Sequence, residues 1–127
     1  MKFYHIKFIL FLFVSSFFSS CEHGYSYNYV LTNNTDTTVT LFIETFSQDT
    51  VFTFLPNETQ NIFSTFHGME GPGGPFKSEV KYDLKSIIIK KGKKISIKDY
   101  RKNESWKFIK KGKFRAEYKS IVNDSEF

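Results

Sequence analysis

The chain has 127 residues, a net charge of +5 and a single cysteine, and 19% of its residues are aromatic. One cysteine excludes an intramolecular disulfide bond, so a folded domain has to be held together by its core. The aromatic content is sufficient for such a core without a disulfide or a bound metal. No linker rich in Pro, Gly or Ser divides Cys21–Phe127, which predicts one domain.

The first twenty residues are typical of a bacterial export leader. Lys2 and Lys7 are basic, Phe8–Phe18 is an apolar run, and Ser19-Ser20 forms a small-residue cleavage site. The apolar run is shorter than the about 20 residues that a membrane-spanning helix needs. We therefore expect residues 1–20 to be a signal peptide that is removed.

Cys21 follows this leader directly. The segment Phe18–Cys21 resembles the lipobox of bacterial lipoproteins, in which Leu usually stands at the position of Phe18. A plain secretory signal is the alternative, but it would leave an unpaired thiol in an oxidising compartment. We expect Cys21 to carry acyl chains such as palmitate, with residues 21–24 as a tether to the membrane of the cell envelope. Two or more acyl chains make such attachment stable.

The part of the chain up to Phe66 has the period-2 alternation of β-strands. The predicted strands are Tyr25–Thr32, Thr38–Phe46, Thr50–Leu55 and Thr59–Phe66, with turn residues between them. In the second strand, Val39, Leu41 and Ile43 fall on one face. Short strands separated by turns at these intervals are typical of a β-sandwich.

A stretch with four glycines and two prolines, His67–Pro75, interrupts the strand pattern and predicts a long exposed loop. Its candidate binding residues are Gly68, Met69, Gly71, Pro72, Gly73, Gly74, Pro75 and Phe76. Loops on rigid sandwiches often bind partners, and the alternative is a crossover between two sheets. His67 and Glu70 could contribute to a metal site, but such a site needs three or four ligands. We therefore expect no metal and no cofactor.

The remaining chain again predicts strands. Leu84–Lys90 contains the triplet Ile87-Ile88-Ile89, which we expect in the core, and the chain returns through a hairpin turn at Lys91-Gly92-Lys93 to Lys94–Lys98. Asp99–Glu104 is expected to form a short helical turn. A last hairpin is predicted between Ser105–Ile109 and Lys113–Val122. Residues 25–127 therefore predict an all-β sandwich domain.

Charge is divided unequally along the chain. Residues 21–76 contain six acids and no Lys or Arg, whereas residues 77–127 contain 16 basic residues and seven acids. We expect the acidic and basic strands to lie beside one another, with lysines on the solvent face. The alternative is a basic face that meets anionic phospholipid, lipopolysaccharide or acidic glycans. Lys107–Lys119 interleaves aromatic and basic residues, but export argues against nucleic acid as a partner.

Together, the leader ending in SSC, the segment YNYVLTNNTDTTVTL, the turn LPNET and the loop GPGGPF resemble small lipoproteins of the Bacteroidetes type. Families of this kind are similar to immunoglobulin-like sandwiches and mostly have no assigned activity. The resemblance implies an antiparallel immunoglobulin-like sandwich of about seven to nine strands. It also implies that Thr37 and Thr50, which follow Asp36 and Asp49, are candidate O-glycosylation sites. An outer-membrane anchor is implied, and Glu22 alone leaves the periplasmic face and the cell surface both open.

No nucleophile elbow, HExxH motif or phosphate-binding loop is present in the sequence. We therefore expect a membrane-anchored, non-catalytic binding or structural module with a protein or glycan partner. The first alternative is a periplasmic enzyme or enzyme inhibitor, which a structure with His67 against buried carboxylates would favour. The second is an electrostatic binder of anionic lipid or lipopolysaccharide through the basic C-terminal half.

Overall fold

The structure, a computed structural model, describes residues 24–68 and 79–127. The strands are β1 Gly24–Asn34, β2 Val39–Thr45, β3 Asp49–Phe54, β4 Thr59–Gly68, β5 Leu84–Lys91, β6 Lys94–Ile95, β7 Lys107–Lys110 and β8 Arg115–Asn123. A four-residue helix, α1, covers Val80–Asp83, and 3-10 turns lie at Asn103–Ser105 and Asp124–Glu126. In these described ranges, no helix has the length and apolar character that crossing a membrane requires.

The strands form two four-stranded sheets around one core, which confirms the predicted all-β sandwich. Sheet A has the order β4-β1-β8-β7, and sheet B has the order β3-β2-β5-β6. Paired strands are antiparallel except β1 and β8, which run parallel. The turn between β7 and β8 lies at the end of sheet A where β1 begins. β1 and β8 therefore start at the same end and run in the same direction. The sheets confirm the sandwich but not its immunoglobulin-like subtype.

Tyrosines from β1 fill much of the core. Tyr27 and Tyr29 are fully buried, as the period-2 pattern predicts, and the ring of Tyr29 stacks on Tyr118 with centroids 5.1 Å apart. Trp106 lies edge-on to Tyr29 at 5.3 Å. The predicted inward face of β2 is also buried. Each large apolar side chain buried in this way stabilises the fold by about 1.5–3 kcal/mol.

A buried carboxylate closes the C-terminal end of the domain. Glu126 accepts hydrogen bonds from the Tyr100 hydroxyl at 2.6 Å and from the Ser96 hydroxyl at 2.8 Å. The Lys98 ammonium lies 3.7 Å from the same carboxylate. Because a buried charge is costly unless it is paired and hydrogen-bonded, these contacts fix the segment after β6 against the C-terminal turn.

Several predicted boundaries differ from the structure. Ile89 is buried and Ile87 is half-buried, but Ile88 points outward, because side chains of a strand alternate between its faces. The predicted core triplet was therefore wrong at Ile88. The predicted return strand over Lys94–Lys98 is limited to the two residues of β6. The hairpin turn at Gly92 is confirmed, since its φ of 59° is one that favours glycine.

Candidate functional site

The outer face of sheet B carries a row of apolar side chains. Phe42 of β2 lies opposite Val51 of β3 on one side and opposite Ile88 of β5 on the other. Their exposed fractions are 39% for Phe42, 59% for Val51 and 41% for Ile88. The outward face of an antiparallel sandwich strand is normally polar, so three adjacent apolar side chains are unusual there. We call these three residues the apolar row.

Charges of opposite sign flank the apolar row. The Lys90 ammonium lies 5.2 Å from the ring centroid of Phe42, on the side toward the start of β2. On the other side, Glu44 and Asp49 are directly opposite each other, and Glu44 pairs with Lys85 at 2.5 Å. A shallow depression of about 320 Å³ runs between the row and this acidic pair and is lined by Phe42, Ile43, Glu44, Asp49, Thr50, Val51, Ser86 and Ile88. The surface is therefore apolar in its middle and acidic at one end.

A second feature is a buried carboxylate next to a histidine. The Asp83 side chain is almost fully buried, and the Tyr29 hydroxyl donates a hydrogen bond to its Oδ2. His67 Nε2 lies 2.8 Å from Asp83 Oδ1, and the ring of Tyr25 stacks on the imidazole at 5.3 Å. Burial raises the pKa of Asp83, and the contacts with Tyr29 and His67 oppose that rise. Burial and the nearby carboxylate both raise the pKa of the Tyr29 hydroxyl.

The arrangement of Tyr29, Asp83 and His67 has two chemical consequences. It ties α1 to sheet A, because Asp83 is the last residue of α1 and its partners belong to β1 and β4. It also orients an imidazole that is partly exposed, as general bases in enzymes are oriented by carboxylates. In residues 24–68 and 79–127, no cluster of three or more His, Cys, Asp or Glu side chains is placed to hold a metal ion.

Most basic residues of the second half of the chain lie in or beside two pairs of neighbouring strands, β5–β6 in sheet B and β7–β8 in sheet A. Sheet B pairs β5 with β2, and here the charges mix as expected, since Lys85 contacts Glu44. Lys91 also contacts Asp36 at 3.4 Å, across the two halves of the sequence. The β5–β6 and β7–β8 turns, by contrast, concentrate basic residues at two separate places.

Of the candidate site residues, the structure describes Thr37, Thr50 and Gly68. Cys21 and Met69–Phe76 of the candidate loop lie outside the described residues, and Gly68 is the last residue of β4 rather than a loop residue. Thr37 is exposed in the β1–β2 turn, whereas Thr50 is half-buried in β3. Comparison with protein families, curated proteins and solved structures finds no match for this chain. Its function is therefore inferred from the chemistry of its own residues.

The apolar row was missed because its residues come from three strands. Phe42 was the outward aromatic residue in a correctly predicted strand, and this was the one signal that the sequence offered. The composition of the apolar triplet Ile87-Ile88-Ile89 gives no local sign that Ile88 faces outward. Only the register between β2 and β5 brings Ile88 beside Phe42, and a register between distant segments is not visible in local periodicity.

Proposed function

We propose that this protein is a lipid-anchored, non-catalytic binding module of the bacterial cell envelope. The leader and Cys21 support the anchor, and β1 begins at Gly24, only three residues after that cysteine. A sandwich that starts so close to its anchor would stay at the membrane surface. Its rigid sheets would then present a binding surface to other components of the envelope.

The apolar row is the single observation that carries the binding function. Its side chains are held by a β-sheet and need no rearrangement, so little conformational entropy is lost when a partner covers them. The partner that fits is a protein segment with an apolar side chain beside a Lys or Arg. The apolar side chain would cover Phe42, and the cation would lie against Glu44 and Asp49. A protein fits better than a glycan, because sugar hydroxyls need more polar groups than the row provides.

Replacing Phe42 by Glu is expected to reduce partner binding at least about ten-fold, because it places a charge at the centre of an apolar contact. The lipidated protein would be cross-linked in its native membranes with an amine-reactive reagent, which can react at Lys90 beside the row. Cross-linked partner peptides would then be quantified by mass spectrometry. The matched control is Ile97→Glu, since Ile97 is a strongly exposed apolar residue outside the row.

Ile97→Glu should keep the wild-type melting temperature, because Ile97 is 85% exposed. Phe42 is 39% exposed, so Phe42→Glu should melt at a lower temperature but remain folded by circular dichroism at the temperature of the cross-linking. The proposal predicts that one partner is cross-linked to Lys90 in the wild type and in Ile97→Glu but is lost in Phe42→Glu. Equal recovery of that partner with Phe42→Glu would show that the apolar row is not the contact.

A second candidate function, a periplasmic enzyme, is favoured by one observation. His67 lies against the buried carboxylate of Asp83, as a positioned general base would. This candidate requires a substrate at the exposed side of the imidazole. Turnover of ester or glycoside substrates that disappears in His67→Gln, with the fold intact, would establish it in place of the binding module.

A further inference from the structure

The two ends of the sandwich differ, and one of them holds the start of β1. There Gly24 pairs with Gly68 of β4, and Ser26 pairs with Arg115 of β8. His67, near the end of β4, contacts Asp83, which directly precedes β5. The beginning of β5 and the β2–β3 turn therefore belong to the same end. We call this the anchor-proximal end, because Cys21 is joined to it by a segment that spans at most about 11 Å.

A basic hairpin lies at the anchor-proximal end. Lys111 and Lys113 lie in the turn between β7 and β8, and Lys110 and Arg115 are the strand residues that flank it. The Ser26 amide donates a hydrogen bond to the Phe114 carbonyl at 2.9 Å, which fixes the hairpin beside the first residues of β1. The Glu117 carboxylate lies 3.9 Å from the Lys111 ammonium and 3.5 Å from that of Lys119. Lys111, Lys113 and Arg115 outnumber Glu117, so the hairpin itself is basic, whereas Glu44 and Asp49 make the sheet B side of the same end acidic.

Exposed aromatic residues lie around the same end. Phe46 in the β2–β3 turn is 71% exposed, Phe66 of β4 is 63% exposed and Tyr82 of α1 is 61% exposed. These are the most exposed aromatic side chains in the part of the chain that the structure describes. Phe66 of β4 lies opposite Ser26 of β1, and Ser26 lies opposite Arg115 of β8. An aromatic and a basic side chain therefore lie at the same level across sheet A. Aromatic rings are favoured at the headgroup level of a bilayer, where cations meet anionic lipids.

The opposite end has a basic hairpin of similar composition but in a different electrostatic setting. Lys90, Lys91, Lys93 and Lys94 surround the β5–β6 turn. Here Lys91 is paired with Asp124 and lies 3.4 Å from Asp36. No aromatic side chain at this end is as exposed as Phe46, Phe66 or Tyr82, within the described ranges. The two hairpins therefore have the same number of basic residues but lie at opposite ends of the sandwich, so the β5–β6 hairpin is a control for the β7–β8 hairpin.

We propose that the Lys110–Arg115 hairpin, with the exposed aromatic residues of the anchor-proximal end, docks on anionic phospholipid headgroups of the membrane that holds the lipid anchor. This inference rests on the proposed anchoring through Cys21. The acyl chains would already make the attachment stable, so the basic contact would fix how the domain is oriented on the membrane. Docking through this end would orient the strands roughly perpendicular to the bilayer. The apolar row on the outer face of sheet B would then remain accessible to a partner.

The lysine reactivity of the lipidated full-length product on vesicles tests this inference. Vesicles of phosphatidylcholine would be prepared with and without phosphatidylglycerol, and bound protein would be isolated by flotation and acetylated briefly. We expect acetylation of Lys110, Lys111 and Lys113 to fall at least about three-fold only on the anionic vesicles. The Lys90, Lys93 and Lys94 sites should react equally on both. The protection should disappear in about 1 M salt, where the Debye length falls to about 3 Å.

A pair of triple variants separates a specific contact from general charge. With Lys110, Lys111 and Lys113 replaced by Gln, the anionic-lipid-dependent protection of Lys85, at the same end, should be lost. With Lys90, Lys93 and Lys94 replaced by Gln, it should remain. Protein that floats but shows equal reactivity at both hairpins would overturn the docking and leave the anchor intact. Protein whose N-terminal peptide lacks acyl chains and which does not float would overturn the anchor and the docking together.

Discussion

Replacing Trp106 by Ala is expected to destabilise the domain by about 3–5 kcal/mol, the usual cost of truncating a large buried aromatic side chain. Trp106 is buried, its ring meets Tyr29 and Tyr100 edge-on, and its Nε1 donates a hydrogen bond to the Tyr100 carbonyl at 2.7 Å. Truncation would open a cavity between the β1 tyrosines and the segment before β7. Domains of this size have only about 5–15 kcal/mol of stability in total, so the variant would be close to unfolding.

Urea unfolding followed by circular dichroism measures this loss as a shift of the midpoint at an unchanged slope. The control is Phe46→Ala, in which an exposed aromatic side chain is removed and a change below about 0.5 kcal/mol is expected. A loss below about 1 kcal/mol for Trp106→Ala would contradict the packing described here. It would mean that the segment around Trp106 does not form part of the core.

The second large effect is expected for Tyr29→Phe, which removes the hydrogen-bond donor to the buried carboxylate of Asp83. A hydrogen bond to a charged group contributes about 1.5–3 kcal/mol, so we expect a loss of that size near neutral pH. The ring of Tyr29 and its stacking on Tyr118 would be kept. In an Asp83→Asn background the same substitution should cost less, about 0.5–1.5 kcal/mol, because the acceptor is then neutral.

The pH dependence of this effect has a defined sign. Burial raises the pKa of Asp83 in the folded protein, so the folded state binds this proton more tightly than the unfolded chain does. The contribution of Asp83 to stability is therefore fully present below its unfolded pKa and is lost as the pH rises through the raised folded pKa. This fall should be larger and should extend to higher pH in Tyr29→Phe, because the Tyr29 hydrogen bond lowers the pKa of Asp83, and it should be absent in Asp83→Asn.

Urea unfolding between pH 4 and pH 8 would measure the free energy of unfolding of each variant. The same measurements would be repeated in a His67→Gln variant, because His67 faces the same carboxylate. The cost of Tyr29→Phe should grow with pH. A cost that is equal at both ends of the range, and equal with Asp or Asn at position 83, would show that Tyr29 and Asp83 are not energetically coupled.

Local patterns in the sequence predicted the strands well. The alternation of Tyr25, Tyr27, Tyr29 and Leu31 identified the inward face of β1, since the period of two is a property of each strand by itself. The glycine of the β5–β6 hairpin was also found from local turn chemistry. The same period of two places Ile88 outward, between the inward Ile87 and Ile89.

The candidate sites depend on contacts between distant segments, and these were not predicted. Asp83 carries no local signal, because nothing near it in the sequence shows that β1 and β4 bring Tyr29 and His67 against it. The position of the Lys110–Arg115 hairpin beside Gly24 depends on the parallel pairing of β1 with β8, which joins the two ends of the chain. Long-range pairing of this kind is set by the whole fold and leaves no signal in a short window of sequence.

The intact mass of the N-terminal peptide, from protein purified out of its native envelope, tests the lipid anchor most directly. We predict that residues 1–20 are absent, that Cys21 carries acyl chains, and that Cys21→Ser is no longer recovered with acyl chains. A free thiol at Cys21 or an uncleaved leader would contradict the anchor, and with it the envelope location and the membrane docking that rests on it.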